Sequence, residues 1–238
     1  MQELETLKQW IADSKHIVFF GGAGVSTESG IPDFRSVDGL YSQKFEYLPE
    51  EIISRNFLEN KSEYFFSFYK EKMMPMGYLP NVTHLYLAEL EKKGVLSAVI
   101  TQNIDGLHQQ AGSKTVYELH GSIDKNYCMI CGKRYSAAFV KESAGVPRCT
   151  CGGTVRPDVV LYGERLNNET VELAAEAIEN ADMLIVGGTS LTVYPAAGLI
   201  RYYHGDRLVL INRDETPYDS MADLVIHDSL GTVFSKIS

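Results

Sequence analysis

The chain has 238 residues, enough for one sizeable core or a large domain carrying a small insertion, and too many for a miniprotein held together by disulfides. Apolar residues make up 45% and charged residues 22%, ordinary values for a globular protein, so wholesale disorder is excluded. Lys and Arg total 22 against 31 Asp and Glu, and the net charge of −9 would repel a phosphate backbone, so nucleic acid is a poor partner and a basic peptide a better one.

Met1 to Trp10 carries Glu3, Glu5 and Lys8 among its apolar positions and lacks the basic start and continuous apolar core of a signal peptide. The mature protein is therefore expected to begin here. No run reaches the roughly 18 uncharged apolar residues of a spanning helix, so no membrane partner is expected and the chain is placed in the cytoplasm. There is no repeat period, low-complexity tract or long Pro/Ser linker between independent domains.

In chain order, the first buried parallel strand is predicted at Ile17 to Phe20. It runs into Gly21-Gly22-Ala23-Gly24, a turn whose bare backbone can approach a pyrophosphate while the next helix offers its N-terminal N–H groups. The dinucleotide fingerprint is incomplete, because Thr27 stands where a third glycine would and no acidic residue ends an obvious second strand. Taken alone, the turn is equally well an ordinary strand-to-helix connection. Phe34 to about Pro80 is too long for one α/β connection and rich in aromatics, including Tyr64, Phe65, Phe66, Phe68 and Tyr69, which predicts a helical cover over the site.

The clearest helix is Val82 to Lys93, with Leu85, Ala88 and Leu90 as its apolar side, Glu89 and Lys93 paired at i,i+4, and Gly94 as its stop. A strand at Ala98 to Thr101 follows at once. A helix at Glu169 to Asn180 precedes a strand at Leu184 to Val186 in the same way, and further strands are predicted at Leu208 to Ile211 and Leu224 to Ile226. Helix then strand, repeated, implies an α/β fold with a doubly wound, Rossmann-like parallel sheet. The predicted division is a Rossmann-like part at 1–34, 81–123 and 156–238, the helical cover at 35–80 and an inserted module at 124–155.

That inserted module holds Cys128, Cys131, Cys149 and Cys151, a C-x2-C pair and a C-x-C pair. Two close-set pairs on turns suit a tetrahedral thiolate cage for Zn²⁺, and four thiolates leave no open position for substrate, so the zinc would be structural. Two disulfides are the alternative, disfavoured in a cytosolic chain. Other chemistry-bearing groups follow strands. Thr101-Gln102-Asn103-Ile104-Asp105-Gly106-Leu107-His108 concentrates polar groups after one strand, although Asn103 or Asp105 could simply cap a helix. Gly187-Gly188-Thr189-Ser190 and Asn212-Arg213-Asp214 follow two others, at the edge where open α/β sheets bind ligands. A histidine titrates near neutrality and suits general-base work, but by position alone His120, in Glu118-Leu119-His120-Gly121-Ser122, is more readily a hydrogen-bonded surface or core histidine.

Together, Gly22-Ala23-Gly24-Val25-Ser26-Thr27-Glu28-Ser29-Gly30-Ile31-Pro32-Asp33-Phe34-Arg35, then Thr101 to His108, then Leu119-His120-Gly121, resemble the sirtuin family of NAD-dependent protein deacylases, in its bacterial-type single-domain form. The resemblance runs from about Lys15 to about Val233, and the paired cysteines fall where that family keeps its zinc. It implies that Gly22, Ala23, Gly24, Thr27, Asp33, Phe34 and Arg35 belong to the cofactor loop. Gln102, Gly188, Thr189, Ser190 and Asn212 would meet the ribose, phosphate and adenine parts of NAD, and Asn103, Ile104 and Asp105 would surround the nicotinamide. A carboxylate such as that of Asp105 can accept a hydrogen bond from the carboxamide. His120 and Asn103 would be catalytic. By the same resemblance, Val159, Val160, Leu161, Tyr162 and Gly163 form the segment along which an acylated-lysine protein or peptide adds as a strand.

The implied chemistry starts when the acyl oxygen of a modified lysine attacks C1′ of the nicotinamide ribose and expels nicotinamide. His120 then acts as general base on the ribose hydroxyls, giving free lysine and 2′-O-acyl-ADP-ribose. A protein mono-ADP-ribosyltransferase, or a non-catalytic NAD-sensing or zinc-mediated interaction module, is the alternative. Succinyl- or malonyl-preferring sirtuins typically carry a Tyr-x-x-Arg pair in the cover, whereas the nearest approach here is Tyr69-x-x-Lys72, whose lysine lacks the planar fork, and solvent-facing positions are expected for Lys70 and Lys72. The resemblance therefore implies a preference for acetyl or longer aliphatic groups over acidic ones.

Overall fold

Six strands align in parallel in the computed structural model, which describes residues 2–33, 39, 44–74 and 76–237. Numbered in chain order, they are β1 (Ile17–Gly21), β2 (Leu96–Thr101), β3 (Val116–Glu118), β7 (Met183–Gly187), β8 (Leu208–Ile211) and β9 (Leu224–Ile226). They form one sheet of order β3-β2-β1-β7-β8-β9 with parallel pairing throughout. The sequence winds outward from β1 in one direction and from β7 in the other. The strand order thus reverses between β1 and β7, which opens a crevice at their carboxyl ends.

One face of the sheet, with Ile17, Phe19, Val99, Ile185 and Val209, packs on Leu7 of α1 (Gln2–Asp13), Leu87 of α5 (Val82–Lys92) and Phe234 of α9 (Leu230–Ile237). The other face sets Val18, Phe20, Ile100 and Val186 against Ala174 and Ile178 of α8 (Asn168–Glu179) and the 3-10 turns of Ala196–Tyr202. Burial on both faces explains why the strands read as continuous apolar runs rather than alternating ones. Each such side chain, fully buried, stabilises the fold by about 1.5–3 kcal/mol, and truncating Phe19 to alanine would cost about 3–5 kcal/mol.

Two expectations about helices are corrected. The buried side of α5 is Thr83, His84, Leu87 and Leu90, while Leu85 is 54% exposed. The buried face contains two polar residues because Asn81 and His84 form a capping box that fixes the helix start. The glycine-rich turn after β1 also feeds no α-helix. Among the described residues it leads into two single 3-10 turns, Ala23–Val25 and Thr27–Ser29. Gly22 to Gly30 is too rich in glycine, serine and threonine to sustain regular α-helix.

A second lobe stands over the crevice. Its three-stranded antiparallel sheet has the order β5-β4-β6, from β4 (Gly121–Cys128), β5 (Arg134–Tyr135) and β6 (Val155–Val159), with α7 (Ala137–Glu142) against it. The cover supplies α2 (Pro49–Ile52), α3 (Arg55–Asn60) and α4 (Ser62–Phe68), the last continuing as a π-helical turn over Tyr69–Met73. Cover and cysteine-bearing module share a single core, in which Phe65, Phe66 and Tyr69 meet Val140, Val155 and Cys128. Lysines fasten the join. Lys70 Nζ donates to the carbonyls of Ser143 and Gly145 at 2.5 and 2.6 Å, and Lys141 Nζ donates to the Lys70 carbonyl. Lys70 therefore does not face solvent, because its ammonium satisfies carbonyls left open at the end of α7.

Candidate active site

A cavity of about 890 Å³ lies between the carboxyl edge of the large sheet and the second lobe. Its floor is built by two loops that meet back to back. Gly24 N–H donates to the Gly188 carbonyl at 2.8 Å, and Gly22 N–H to that of Gly187 at 3.3 Å. A Cβ on Gly24 would stand 2.7 Å from Gly188 Cα, and one on Gly22 would stand 2.8 Å from Thr189 Cβ. These glycines are needed first for loop-to-loop approach. Gly24 N–H is committed to protein, and what the turn presents to the cavity is close-packed backbone. Ala23, Gly24, Thr27 and Asp33 line one side of the cavity, and Gly188, Thr189, Ser190 and Asn212 the other, while Gly22 lies behind the wall. Phe34 and Arg35 lie outside the described residues.

Gln102, Asn103, Ile104 and Asp105 leave β2 and enter the cavity above this floor. Asn103 N–H is held by Thr101 Oγ1 at 3.0 Å, and Asp105 Oδ1 accepts the N–H of Leu107 at 2.9 Å, the first residue of α6 (Leu107–Ala111). Gly106, not Asp105, is the cap residue of α6, and Asp105 holds the first helical amide from one position before it. The other carboxylate oxygen of Asp105 accepts from Ser26 Oγ at 2.7 Å, and Ser26 Oγ in turn accepts from Asn103 Nδ2 at 3.1 Å. Burial raises the Asp105 pKa, opposed by the bonds from Leu107 and Ser26.

Behind Ser26 stands His84, whose Nδ1 accepts from Asn81 N–H at 3.2 Å and whose Nε2 lies 3.5 Å from Ser26 Oγ. Nδ1 accepts, so Nε2 carries the proton. The ring of His108 packs on His84 with centroids 4.7 Å apart. Burial drives both histidines down, His84 to about 4 and His108 to about 3, so both are neutral near pH 7. The sequence reading passed over Ser26 and His84. Ser26 lay inside the quoted glycine motif, and the Asn81-x-x-His84 spacing at a helix start was the available signal for the other.

His120 sits where β3 turns into β4. Its Nδ1 lies 2.9 Å from the Gln102 carbonyl, which can only accept, so Nδ1 carries the proton and Nε2 keeps its lone pair. Burial lowers its pKa, partly offset by that carbonyl. A neutral imidazole with a fixed tautomer on a cavity wall is equipped to take a proton.

Val159 to Gly163 borders the same cavity. Val160 N–H donates to the His120 carbonyl at 2.9 Å, and Tyr162 pairs with Ile53 and Arg55 of the cover through bonds of 3.1 and 3.0 Å. Opposite runs Val193, Tyr194 and Pro195, also on the wall. The cover contributes Glu71, Lys72, Met73 and Met74, residues unassigned or misassigned from sequence. Lys72 borders the cavity with its Nζ 3.0 Å from Glu71, while Tyr69 is wholly buried and stacked on Phe65. Tyr69 and Lys72 therefore do not form one acid-binding pair, since a π-helical turn carries them in different directions.

The four cysteines are unpaired by disulfides and converge, with all four sulfurs within 4.8 Å of one another. Cys128 and Cys151 are 3.5 Å apart, Cys131 and Cys149 3.6 Å, and Cys131 and Cys151 3.5 Å. A tetrahedron with Zn–S bonds of about 2.3 Å has edges of about 3.8 Å, which these spacings fit. Backbone N–H groups turn towards the sulfurs, that of Cys131 lowering the Cys128 pKa and that of Cys151 taking Cys149 to about 5. The Gly153 N–H favours a thiolate at Cys151, yet the sulfurs of Cys128, Cys149 and Cys131 push it up to about 12, and a shared cation would relieve that repulsion. The cysteines are placed to hold zinc.

Comparison with known proteins bears on the same residues. The Sir2 family profile matches residues 22–195. An NAD-dependent protein deacetylase of Clostridium acetobutylicum is 56% identical over 241 aligned positions, which take in 100% of this chain and 98% of the relative. A Staphylococcus aureus protein of the same description is 47% identical, across 99% of this chain and 98% of its own. Among solved structures, a Sir2 complex with p53 peptide and NAD⁺ superposes with a TM-score of 0.87 at 40% identity, over 98% of this chain and 96% of that one. A Sir2 bound to acetylated peptide gives 0.87 at 39% identity with the same coverage.

Proposed function

The chain belongs to the Sir2 family, and we infer from its site that it is an NAD-dependent protein lysine deacetylase, consuming NAD and one water and yielding free lysine, nicotinamide and 2′-O-acetyl-ADP-ribose. The observation that carries this reading is His120, held by the Gln102 carbonyl so that its basic nitrogen is left for substrate. NAD, when bound, supplies the glycosidic bond whose cleavage expels nicotinamide and opens C1′ to the acyl oxygen. His120 serves as general base for a ribose hydroxyl, a role worth about 10²- to 10⁴-fold in rate. Asn103 and Asp105, tied through Ser26, orient the nicotinamide end, while Thr189, Ser190 and Asn212 border the nucleotide end.

The acylated peptide lies along Val159 to Gly163, and Val160, Ile104, His120 and Val193 to Pro195 line the same cavity. Zinc holds the cysteine module, and through the shared core it holds the cover as well. A four-thiolate zinc cage, which needs reduced cysteines, accords with a reducing compartment such as the cytoplasm. Among the described residues no helix is long and apolar enough to cross a membrane. Incubation with acetyl-lysine peptide and NAD, followed by mass spectrometry, tests the reading. Deacetylated peptide with O-acetyl-ADP-ribose is expected; a peptide or protein heavier by ADP-ribose, or no change at all, would overturn it.

A further inference from the structure

We propose that Glu28, which lines no part of the cavity, is a positioning residue for the dinucleotide, its carboxylate pinning the loop that bears Ala23 and Thr27 to the first turn of α9. Glu28 Oε2 accepts the N–H of Gly231 at 2.7 Å, and Oε1 accepts from Ser229 Oγ at 3.0 Å. The inference rests on the NAD reading above. Its ground is that both partners of this clamp border the nucleotide cavity, Thr27 beside Glu28 on one side and Asp228, Ser229 and Leu230 on the other.

The loop needs such a hold. It consists of two single 3-10 turns, which have little stability of their own. Its far side is already tied to α5, since Asn81 Nδ2 donates to the Val25 carbonyl at 2.8 Å and to Ser29 Oγ at 2.9 Å. Its start is held by Gly188 and its middle by Asp105, and Glu28 tethers its end to an element more than two hundred positions away in sequence. The α9 side is equally committed. Gly231 is buried in the opening turn of the helix, where its N–H has no partner within the helix, so an outside acceptor is required. A Cβ on Gly231 would stand 2.2 Å from Glu28 Oε2, so this residue is glycine because the carboxylate occupies that space. A negative group at a helix start is favourably placed as well. With the clamp closed, the loop is already in its binding shape, and the nucleotide loses less freedom of the protein on binding.

The test is calorimetric titration of ADP-ribose into the wild type, Glu28→Gln, Glu28→Ala and Gly231→Ala, with melting temperature and helix content recorded for each. Glu28→Ala is expected to raise Kd on the order of tenfold, and Glu28→Gln less, because its amide oxygen keeps one acceptor. Gly231→Ala should match Glu28→Ala by displacing the carboxylate, and the double variant should be no weaker than either single one, as coupled residues require. The KM for acetyl-peptide should not follow Kd. Equal affinity in wild type, Glu28→Ala and Gly231→Ala, or effects that add in the double variant, would overturn the clamp alone. A loss of affinity that tracks loss of α9 helicity, and appears equally in the peptide KM, would mark a merely structural role and overturn it too. A wild type that binds no ADP-ribose would overturn the NAD reading and the clamp together.

Discussion

Arg156 grips Glu164 with both arms of its guanidinium, Nη1 to Oε1 at 2.5 Å and Nη2 to Oε2 at 3.0 Å, with side chains only 9% and 15% exposed. The same guanidinium donates to the carbonyls of Pro157 and Val159, and Glu164 accepts the N–H of Leu161, so the pair braces the segment assigned to substrate from both ends. Arg156→Ala should cost about 1–3 kcal/mol by stranding a half-buried carboxylate, and Arg156→Lys should keep the charge yet lose the fork. Urea unfolding reads the first effect. In the lysine variant, the peptide KM should rise while NAD affinity holds. Burial alone would raise the Glu164 pKa, but Arg156 and Leu161 hold it below the ordinary value. The contribution is therefore complete above about pH 4.3 and is lost as pH falls through the lowered value.

His120→Ala should reduce turnover by about 10²- to 10⁴-fold and leave NAD binding largely intact. In the wild type, kcat/KM should fall on acidification as Nε2 gains a proton, with its midpoint below the ordinary histidine value of about 6.5, because burial lowers this pKa. A pH–rate profile with its acid limb above that value would remove His120 from the role.

His84 and His108, neutral in the fold with pKa values of about 4 and about 3, add an acid sensitivity of another kind. Below about pH 6.5 the unfolded chain binds protons on these rings that the folded chain does not, so stability should decline as pH falls from there. Melting temperatures at pH 7.5 and 5.5 read the effect, and His108→Phe should flatten the slope.

Asp105→Asn should raise the NAD requirement and weaken inhibition by nicotinamide, because the bond from Ser26 and the charge behind it change together. Ser26→Ala should move both quantities in the same direction but less, since the Leu107 N–H still holds the other oxygen. An unchanged nicotinamide response in both variants would place the nicotinamide elsewhere.

Replacing Cys128, Cys131, Cys149 or Cys151 with serine should release zinc and destabilise the second lobe. Because that lobe shares its core with the cover, the peptide KM should suffer before NAD affinity does. Metal analysis of the intact protein reads the first claim, and titration of ADP-ribose into chelator-treated protein the second.

Acetyl-lysine should be preferred to succinyl-lysine on one peptide. Lys72, the cation nearest a Tyr-x-x-Arg position, is already paired with Glu71, and Tyr69 is turned into the core. Releasing an engaged lysine to receive a second carboxylate gains little. A succinyl kcat/KM above the acetyl value would show that another cation reaches the acyl end.

Strands β8 and β9 were legible to the residue, β8 because burial on both faces leaves an unbroken apolar run and β9 because, though a half-buried edge strand, it is Leu-Val-Ile throughout. Edge strand β3 was missed, having only three half-buried residues and no such run. The four cysteines and His120 could be named from local spacing and from family resemblance. The buried face of α5 could not, since counting apolar residues favours Leu85 over the polar pair Thr83 and His84, whose burial depends on distant partners. Glu28 lay in plain view within the glycine motif, but its partners are at the other end of the chain. What local patterning cannot reveal is contact between remote segments.

The shared core of the second lobe has a consequence for the order of assembly. Its two halves, Ile52 to Met74 and Ile123 to Leu161, are separate excursions from the large sheet, with β2 and β3 threaded between them. Neither half can complete an interior before those strands bring the excursions side by side, and closing so long a loop without a scaffold is entropically costly. The lobe should therefore gain protection late during refolding, after the sheet. In pulse-labelled hydrogen exchange, the amides of Val18, Val99 and Ile185 should be guarded before those of Phe66 and Val140, and the reverse order would show that the lobe nucleates by itself.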